Sequence, residues 1–329
     1  MIGRKADAFL NKHYSGRRND QQPFLMVLST PAPHAPFTPA PQYAKAFSNL
    51  TAPRTPAYNH VENAEHKKHW FVRTRPRPLP EKVLAEVDEV FRNRWRTLLS
   101  VDDLVDGVMK RLEDLGVLDE TFVVFTSDHG FHLGQFGLAV DKRQMYETDL
   151  RVPLLVRGPG VRVNVTLRNP VTNVDLAPTF VEMAGGRAPD SMDGTSFLPF
   201  LLSESNSISA PEPQHSFLVE YQGEGGKSID PACRSLTDDN MAECQEAFGC
   251  KCQDSRNNTY NCLRTVSSAE DTIYCKFEDD VGFVEMYNLA EDRYQLFNLG
   301  SELSDDTKTV YEGKINGLRD CHGRQECFV

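Results

Sequence analysis

No cysteine precedes Cys233 in this chain of 329 residues, and all eight cysteines fall in the last third. The larger part of the molecule therefore folds without cross-links. Long apolar runs are also missing. None approaches the roughly 20 residues that span a bilayer, which excludes a membrane-crossing helix. The first twenty residues are charged and lack the apolar centre of a secretory leader. Positive charge is in deficit, with 36 Lys and Arg against 47 Asp and Glu and a net charge of −11. That balance excludes the basic footprint of a nucleic-acid binder and gives no general attraction to polyanions. Internal repeats and long low-complexity tracts are absent as well. What is present is globular: 40% hydrophobic residues, in a chain long enough for one large core plus an appendage.

The hydrophobic pattern reads as an α/β part followed by a smaller β-rich part. Residues 24–29 form a short apolar run, expected to be a buried strand that delivers His34 to a proline-rich loop. Residues 100–116 predict a helix. Val101, Leu104, Val105, Val108, Met109, Leu112 and Leu115 make its stripe, with Ser100 as N-cap and Gly116 at the C-cap. Strands at 122–125 and 152–156 follow. Strand, helix, strand in that order implies a parallel sheet. Residues 173–184 predict another helix, with Pro178 in its first turn. The Ser/Pro-rich stretch 203–214 reads as a linker between 1–202 and 215–329. Beyond it, 217–221, 262–266, 272–277 and 283–289 read as strands and 302–318 as a terminal helix. The charged stretch 66–77 reads either as a solvated loop or as a rim with Trp70 as a stacking face.

Chemistry concentrates in 121–160. The strand at 122–125 opens into Ser127-Asp128-His129-Gly130, a carboxylate beside an imidazole at the sheet edge where ligands bind. Asp128 can ligate a cation; His129 can ligate it or donate to an anion. Asp141-Lys142-Arg143 adds a cation able to hold an anion.

The clustered cysteines point to local disulfides formed in an oxidising compartment. The short separation of Cys321 and Cys327 favours their pairing, leaving the six from Cys233 to Cys275 to pair among themselves. Sequons at Asn49, Asn164 and Asn257 agree with secretion.

The ordered motifs SDHGFHLGQFG, DKRQMYE, RVPLLVRGPG and VEYQGEGG, with TPAPHAPFTPAPQYAKAF and HKKHWFVR upstream, resemble the sulfatase family. Within it they resemble the branch that removes 6-O-sulfate from glucosamine. The resemblance implies an alkaline-phosphatase/sulfatase-like sheet flanked by helices, N-terminally incomplete, with a Cys-rich β subdomain. It implies a sulfuric ester hydrolase with one calcium ion, held by Asp128 with His129 on the metal or the sulfate. Lys142 and His34 resemble the family's catalytic lysine and histidine. His132 and Gln135 resemble substrate-binding positions or residues that shape the loop. The implied partner is a sulfated glycosaminoglycan oligosaccharide of the heparan or keratan sulfate type, in the lysosome or outside the cell, with room for a homodimer. The family's nucleophile, a formylglycine made in Cys-x-Pro-Ser-Arg or Ser-x-Pro-Ser-Arg, has no counterpart here. The chain begins like an interior segment of the family's catalytic domain and is expected to be inactive alone. Two other readings stand beside this one. They are a zinc-dependent phosphatase or phosphodiesterase of the same superfamily and a non-catalytic fragment that binds sulfated sugar.

Overall fold

The structure, a computed structural model, describes residues 1–14, 23–65, 67–73, 77–202, 215–224, 242–248 and 251–327. In chain order the elements are α1 (Ile2–Tyr14), α2 (Glu81–Asp114), β1 (Val123–Phe125), β2 (His132–Leu133), β3 (Val140–Asp141) and α3 (Glu147–Leu150). Then come β4 (Leu155–Arg157), α4 (Leu176–Met183), α5 (Leu198–Leu202), β5 (His215–Tyr221), β6 (Ala242–Gln245) and β7 (Lys251–Asp254). β8 (Tyr260–Val266), β9 (Asp271–Phe277), β10 (Val284–Asn288), α6 (Asp305–Arg319) and α7 (Arg324–Cys327) complete the order. The chain is a mixed α/β molecule that divides into two compact units. The expected linker 203–214 lies outside the described residues.

The first unit comprises residues 1–52, 88–125 and 154–165. Most of α2, a helix of 34 residues that absorbs the helix predicted from Ser100, belongs to this unit. Ser100 is interior rather than an N-cap. No proline or glycine interrupts the pattern from Glu81 to Asp106, so nothing stops the helix upstream. The other end is as expected. Gly116 has φ of 71°, its N–H donates to Glu113 O (2.8 Å), and the Val117 N–H reaches Leu112 O (3.0 Å). These left-handed closing bonds satisfy carbonyls the helix leaves open. α1 lies against this helix through Arg111, which pairs with Asp7 at 3.2 Å. Arg94 and Arg96 donate to Pro33 O (2.9 Å) and Ala46 O (2.8 Å), tying the proline-rich loop to the same helix.

Two expectations in this unit are overturned. β1 and β4 pair antiparallel, Val124 opposite Val156, so the expected parallel sheet is not formed; all strand pairs among the described residues are antiparallel. The run 24–29 is not a strand. It alternates in exposure as a strand does, but no partner strand faces it among the described residues, and Leu25 and Val27 remain 70% and 72% exposed. Apolar alternation without a ladder partner does not make a strand.

The second unit comprises residues 53–87, 126–153 and 166–329. Its centre is a four-stranded antiparallel sheet in the order β10-β9-β8-β5. The strands are buried on both faces, which the sequence showed as nearly continuous apolar runs. One face carries Tyr260, Cys262, Ile273, Cys275, Phe277 and Tyr287 and packs against Phe136, Met145 and Tyr146. The other carries Leu263, Tyr274 and Met286 and packs against Ile315 and Leu318 of α6. Ser304 caps α6 by accepting from the Thr307 N–H at 3.2 Å. A disulfide joins Cys262 to its cross-strand neighbour Cys275, and another joins Cys321 to Cys327. Backbone register sets Cys244 opposite Cys252 on β6 and β7; Cys233 and Cys250 lie outside the described residues.

Candidate functional site

The sheet of the second unit supports two loops, 126–133 and 141–147, and their meeting point is Asp149. Gly130 N–H donates to Asp149 O (2.7 Å), and Phe131 N–H donates to Thr148 O (2.8 Å). A Cβ on Gly130 would stand 2.1 Å from Thr148 O, so only glycine permits this approach. The buried Asp149 carboxylate accepts from Gln144 N–H at 2.9 Å and lies 3.0 Å from Nδ1 of His132. One carboxylate thus fastens the Asp-His-Gly loop to the Asp-Lys-Arg loop. The β2–β3 ladder does the same through His132 opposite Asp141. Lys142 falls one position beyond that pair, on the Phe131 side.

Asp128 leaves this scaffold toward solvent, its side chain 81% exposed. Oδ1 accepts from His129 N–H (3.0 Å), and Oδ2 lies 3.4 Å from His129 Nε2. Partial burial pushes its acidity down, but the adjacent His129 and these hydrogen bonds outweigh that, and the carboxyl sits below its usual range. Asn173 Nδ2 donates to Asp128 O at 2.9 Å and steadies the loop from the start of the α4 segment.

The Asp-Lys-Arg loop separates its two cations by function. The Arg143 guanidinium faces Asp141 (2.8 Å), Glu224 (3.5 Å) and Asp254 (4.0 Å). Burial lowers its pKa, yet these carboxylates overcome that and hold the guanidinium charged. The half-buried Lys142 has no carboxylate partner for its ammonium among the described residues. Asp141 and Arg143 both have positive φ, 148° and 85°, so the loop is held in a conformation few side chains adopt freely.

His132 and Gln135, expected at the ligand or in the loop, are buried. Gln135 Oε1 accepts from Leu133 N–H at 2.6 Å, and its backbone bridges to Tyr58. This geometry favours the loop-shaping role for both. His34 belongs to the first unit, exposed in a turn closed by His34 N–H to Pro31 O (2.9 Å). Asn49 and Asn164 are exposed and Asn257 is half-buried.

Asp128 is a charged oxygen donor that fits a hard cation such as calcium. Such a cation takes roughly six to eight oxygen ligands. The described residues contain no cluster of three or more metal-ligating side chains. Asp128 offers one charged oxygen to such a sphere, and the imidazole of His129 is a poor donor to so hard a cation.

Sequence reasoning missed three buried residues that hold the site. Asp149 stood unmarked in ETDLRVP, and no local signal singles it out. The other two are Lys68 and Glu285. The stretch 66–77 is neither a solvated loop nor a rim over its middle: Lys68, His69, Phe71 and Val72 are core. Lys68 Nζ donates to Tyr287 Oη (2.8 Å) and Gln295 O (2.7 Å) and lies over the rings of Phe136, Tyr146 and Tyr287. Burial pushes this ammonium down to about 8, against the pull of Glu285. Glu285 accepts from His69 N–H (2.6 Å), Tyr146 Oη (3.1 Å) and Tyr287 Oη. Tyr146 ends the Asp-Lys-Arg loop, so this network anchors it. The signal was the apolar pair Phe71-Val72, masked by the surrounding charges.

The family model described as Sulfatase matches residues 3–186. N-acetylglucosamine-6-sulfatase of Capra hircus is 45% identical over 308 residues, covering 93% of this chain and 53% of that protein. The protein of the same name from Homo sapiens is 44% identical over 93% of this chain and 54% of its own length. The chain thus spans about half the length of these curated relatives. A protein solved in complex with its substrate D-glucosamine-2-N,6-O-disulfate superposes with a TM-score of 0.68 at 22% identity, covering 97% of this chain and 68% of that one. The family match and the relatives agree: this chain belongs to the sulfatase family.

Proposed function

We propose that this chain carries the sulfate-holding half of a sulfuric ester hydrolase acting on 6-O-sulfated N-acetylglucosamine. The observation that carries the reading is the Lys142 ammonium, without a carboxylate partner among the described residues, on a loop that Asp149 fastens to the Asp128-His129 loop. Asp141 Oδ2, Glu224 and Asp254 face Arg143 instead. An unneutralised cation on a rigid loop is suited to an anion whose charge grows during reaction.

In this reading Lys142 holds the sulfate oxygens and the leaving oxygen, and His34, by the family resemblance, contacts the sulfate ester or helps eliminate sulfate. Asp128, with His129 at its side, would hold calcium together with donors from outside the described residues. When bound, that ion supplies positive charge that draws the sulfate. His129 can instead donate to the sulfate. The substrate is a sulfated glycosaminoglycan of the heparan or keratan sulfate type. Disulfides and the exposed sequons at Asn49 and Asn164 support a lysosomal or extracellular setting.

No residue here can become the formylglycine nucleophile. The intact 329-residue chain should therefore release no sulfate from 6-sulfated N-acetylglucosamine. Joined in one polypeptide to the part of the goat relative that the match does not cover, it should do so. A chimera that forms both disulfides and still shows no turnover would contradict the reading.

A further inference from the structure

The three sequons are not equivalent in the structure. At Asn257 the hydroxyl of Thr259 is already used: it accepts from Gly223 N–H (3.0 Å) and donates to Arg256 O (2.7 Å). Asn164 stands on an exposed stretch between Val163 and Val165. Asn49 differs from both, because its turn is built onto a helix of its own unit. Leu50 N–H donates to Phe47 O at 3.0 Å and closes residues 47–50 as a turn. Ser48 Oγ donates to Lys45 O (2.7 Å). α2 holds this turn at both ends: Arg96 Nε donates to Ala46 O (2.8 Å), and Arg92 Nη1 donates to Leu50 O (2.9 Å). Just beyond it, Ala52 N–H donates to Asp88 Oδ1 (2.9 Å). On this frame Asn49 and Thr51 are exposed, so both groups that a glycan acceptor needs are presented outward.

The second observation is Trp95. Arg92, Trp95 and Arg96 share one face of α2, the face that carries the turn. The indole meets the Phe47 ring edge-on, with centroids 5.6 Å apart, and the Phe91 ring at 5.6 Å. It is braced by two rings and still 46% exposed. Asn49 lies between Phe47, which meets this indole, and Leu50, whose carbonyl is held by Arg92 on the same face. A sugar attached to Asn49 therefore starts its path beside Trp95. The first sugar of an N-glycan is an N-acetylglucosamine. Its ring has a face of axial C–H groups, and such a face packs on an aromatic ring as apolar surface.

We propose that Asn49 carries an N-glycan whose first N-acetylglucosamine rests on Trp95, beside Phe47. The donor is a lipid-linked oligosaccharyl diphosphate of the secretory pathway. A bond forms between Asn49 Nδ2 and C1 of the N-acetylglucosamine. The bond from C1 to the phosphate oxygen breaks, and the lipid diphosphate leaves with its electron pair. The Asn49 amide gives up one proton, which ends on the released diphosphate. The inference goes beyond the sulfate chemistry and rests only on the secretory setting given above. It makes this face of α2 glycan-bearing, with the seated sugar covering apolar surface and fastening the 47–50 turn to the helix.

The intact 329-residue chain, made in animal cells behind a cleavable secretory leader, tests this. The leader supplies the compartment, so the outcome judges the site and not the setting. Glycopeptide mass spectrometry should find Asn49 occupied in most molecules and bare in Thr51→Ala, which removes the acceptor hydroxyl. Trp70 and Trp95 are the two tryptophans of the chain, so Trp70→Phe leaves Trp95 as the single reporter. In that background acrylamide should quench Trp95 less in the glycosylated chain than in Thr51→Ala or Asn49→Gln. Loss of the glycan should also lower Tm by about 2–4 °C, the shift expected of one aromatic contact. Trp95→Ala should abolish that difference and leave Asn49 occupied; far-UV circular dichroism checks that each variant folds. A bare Asn49 overturns the proposal, whatever the state of Asn164. An occupied Asn49 with Trp95 quenching indifferent to the glycan, or a Tm difference that survives Trp95→Ala, overturns the seat on Trp95.

Discussion

Lys68 shows how a single buried charge shapes the molecule. Its ammonium is fully buried among three rings, and its pKa falls from 10.5 to about 8. Between those values the unfolded chain binds more protons than the folded one, so this residue makes stability rise with pH across that window. Burial acts on Tyr146 and Tyr287 in the opposite direction, keeping both hydroxyls protonated well above 10. Above pH 10 the unfolded tyrosines ionise and the folded ones do not, so stability falls there. Urea unfolding should therefore show a rise from pH 8 to 10 and a fall beyond it. In Lys68→Met the rise should disappear. A variant that keeps the rise would show that another group causes it. The sequence did not reveal this site, because HKKHWFVR looks polar when its charges are counted. The burial comes from partners more than 200 positions away in the chain, Tyr287 and Gln295. The loops that carry Asp128 and Lys142 were legible, since short-range motifs mark them. Their support by Asp149 and Glu285 was not.

Elements were legible where one face or one cap decided them. The strands of the main sheet and α6 were found because apolar runs and turn residues bounded them. The Gly116 end of α2 was legible for the same reason. The start of α2 was missed because a good cap at Ser100 does not stop a helix that can continue. The direction of β1 against β4 was missed because connection length does not fix strand direction by itself. Gly130 offers the sharpest test at this scale. Gly130→Ala places a methyl against Thr148 O, which is backbone and cannot rotate away. The substitution should cost roughly 3 kcal/mol and separate the two site loops. Chemical denaturation measures the cost, and a loss below about 0.5 kcal/mol would mean that the loop approach is not rigid.

At the scale of the whole molecule, stabilisation is uneven. The sheet of the second unit is stapled at Cys262–Cys275 and the tail at Cys321–Cys327. Material from an oxidising compartment should contain no free thiol among its eight cysteines. Unreduced peptide mapping should recover the Cys321–Cys327 pair, with the other six paired among themselves. A bridge from the tail into the 233–275 cluster would contradict this. The family was legible from ordered motifs alone, and the two-unit division was not, because each unit is assembled from three separated stretches.

The central claim is that Lys142 acts on charge that grows during reaction. Steady-state kinetics of the chimera with the goat segment, with and without Lys142→Ala, test it most directly. The account predicts that kcat for 6-sulfated N-acetylglucosamine falls about a hundredfold, the scale of one lost transition-state donor, while KM changes less than about threefold. A rise in KM with kcat unchanged would contradict it, since Lys142 would then only bind the ground state.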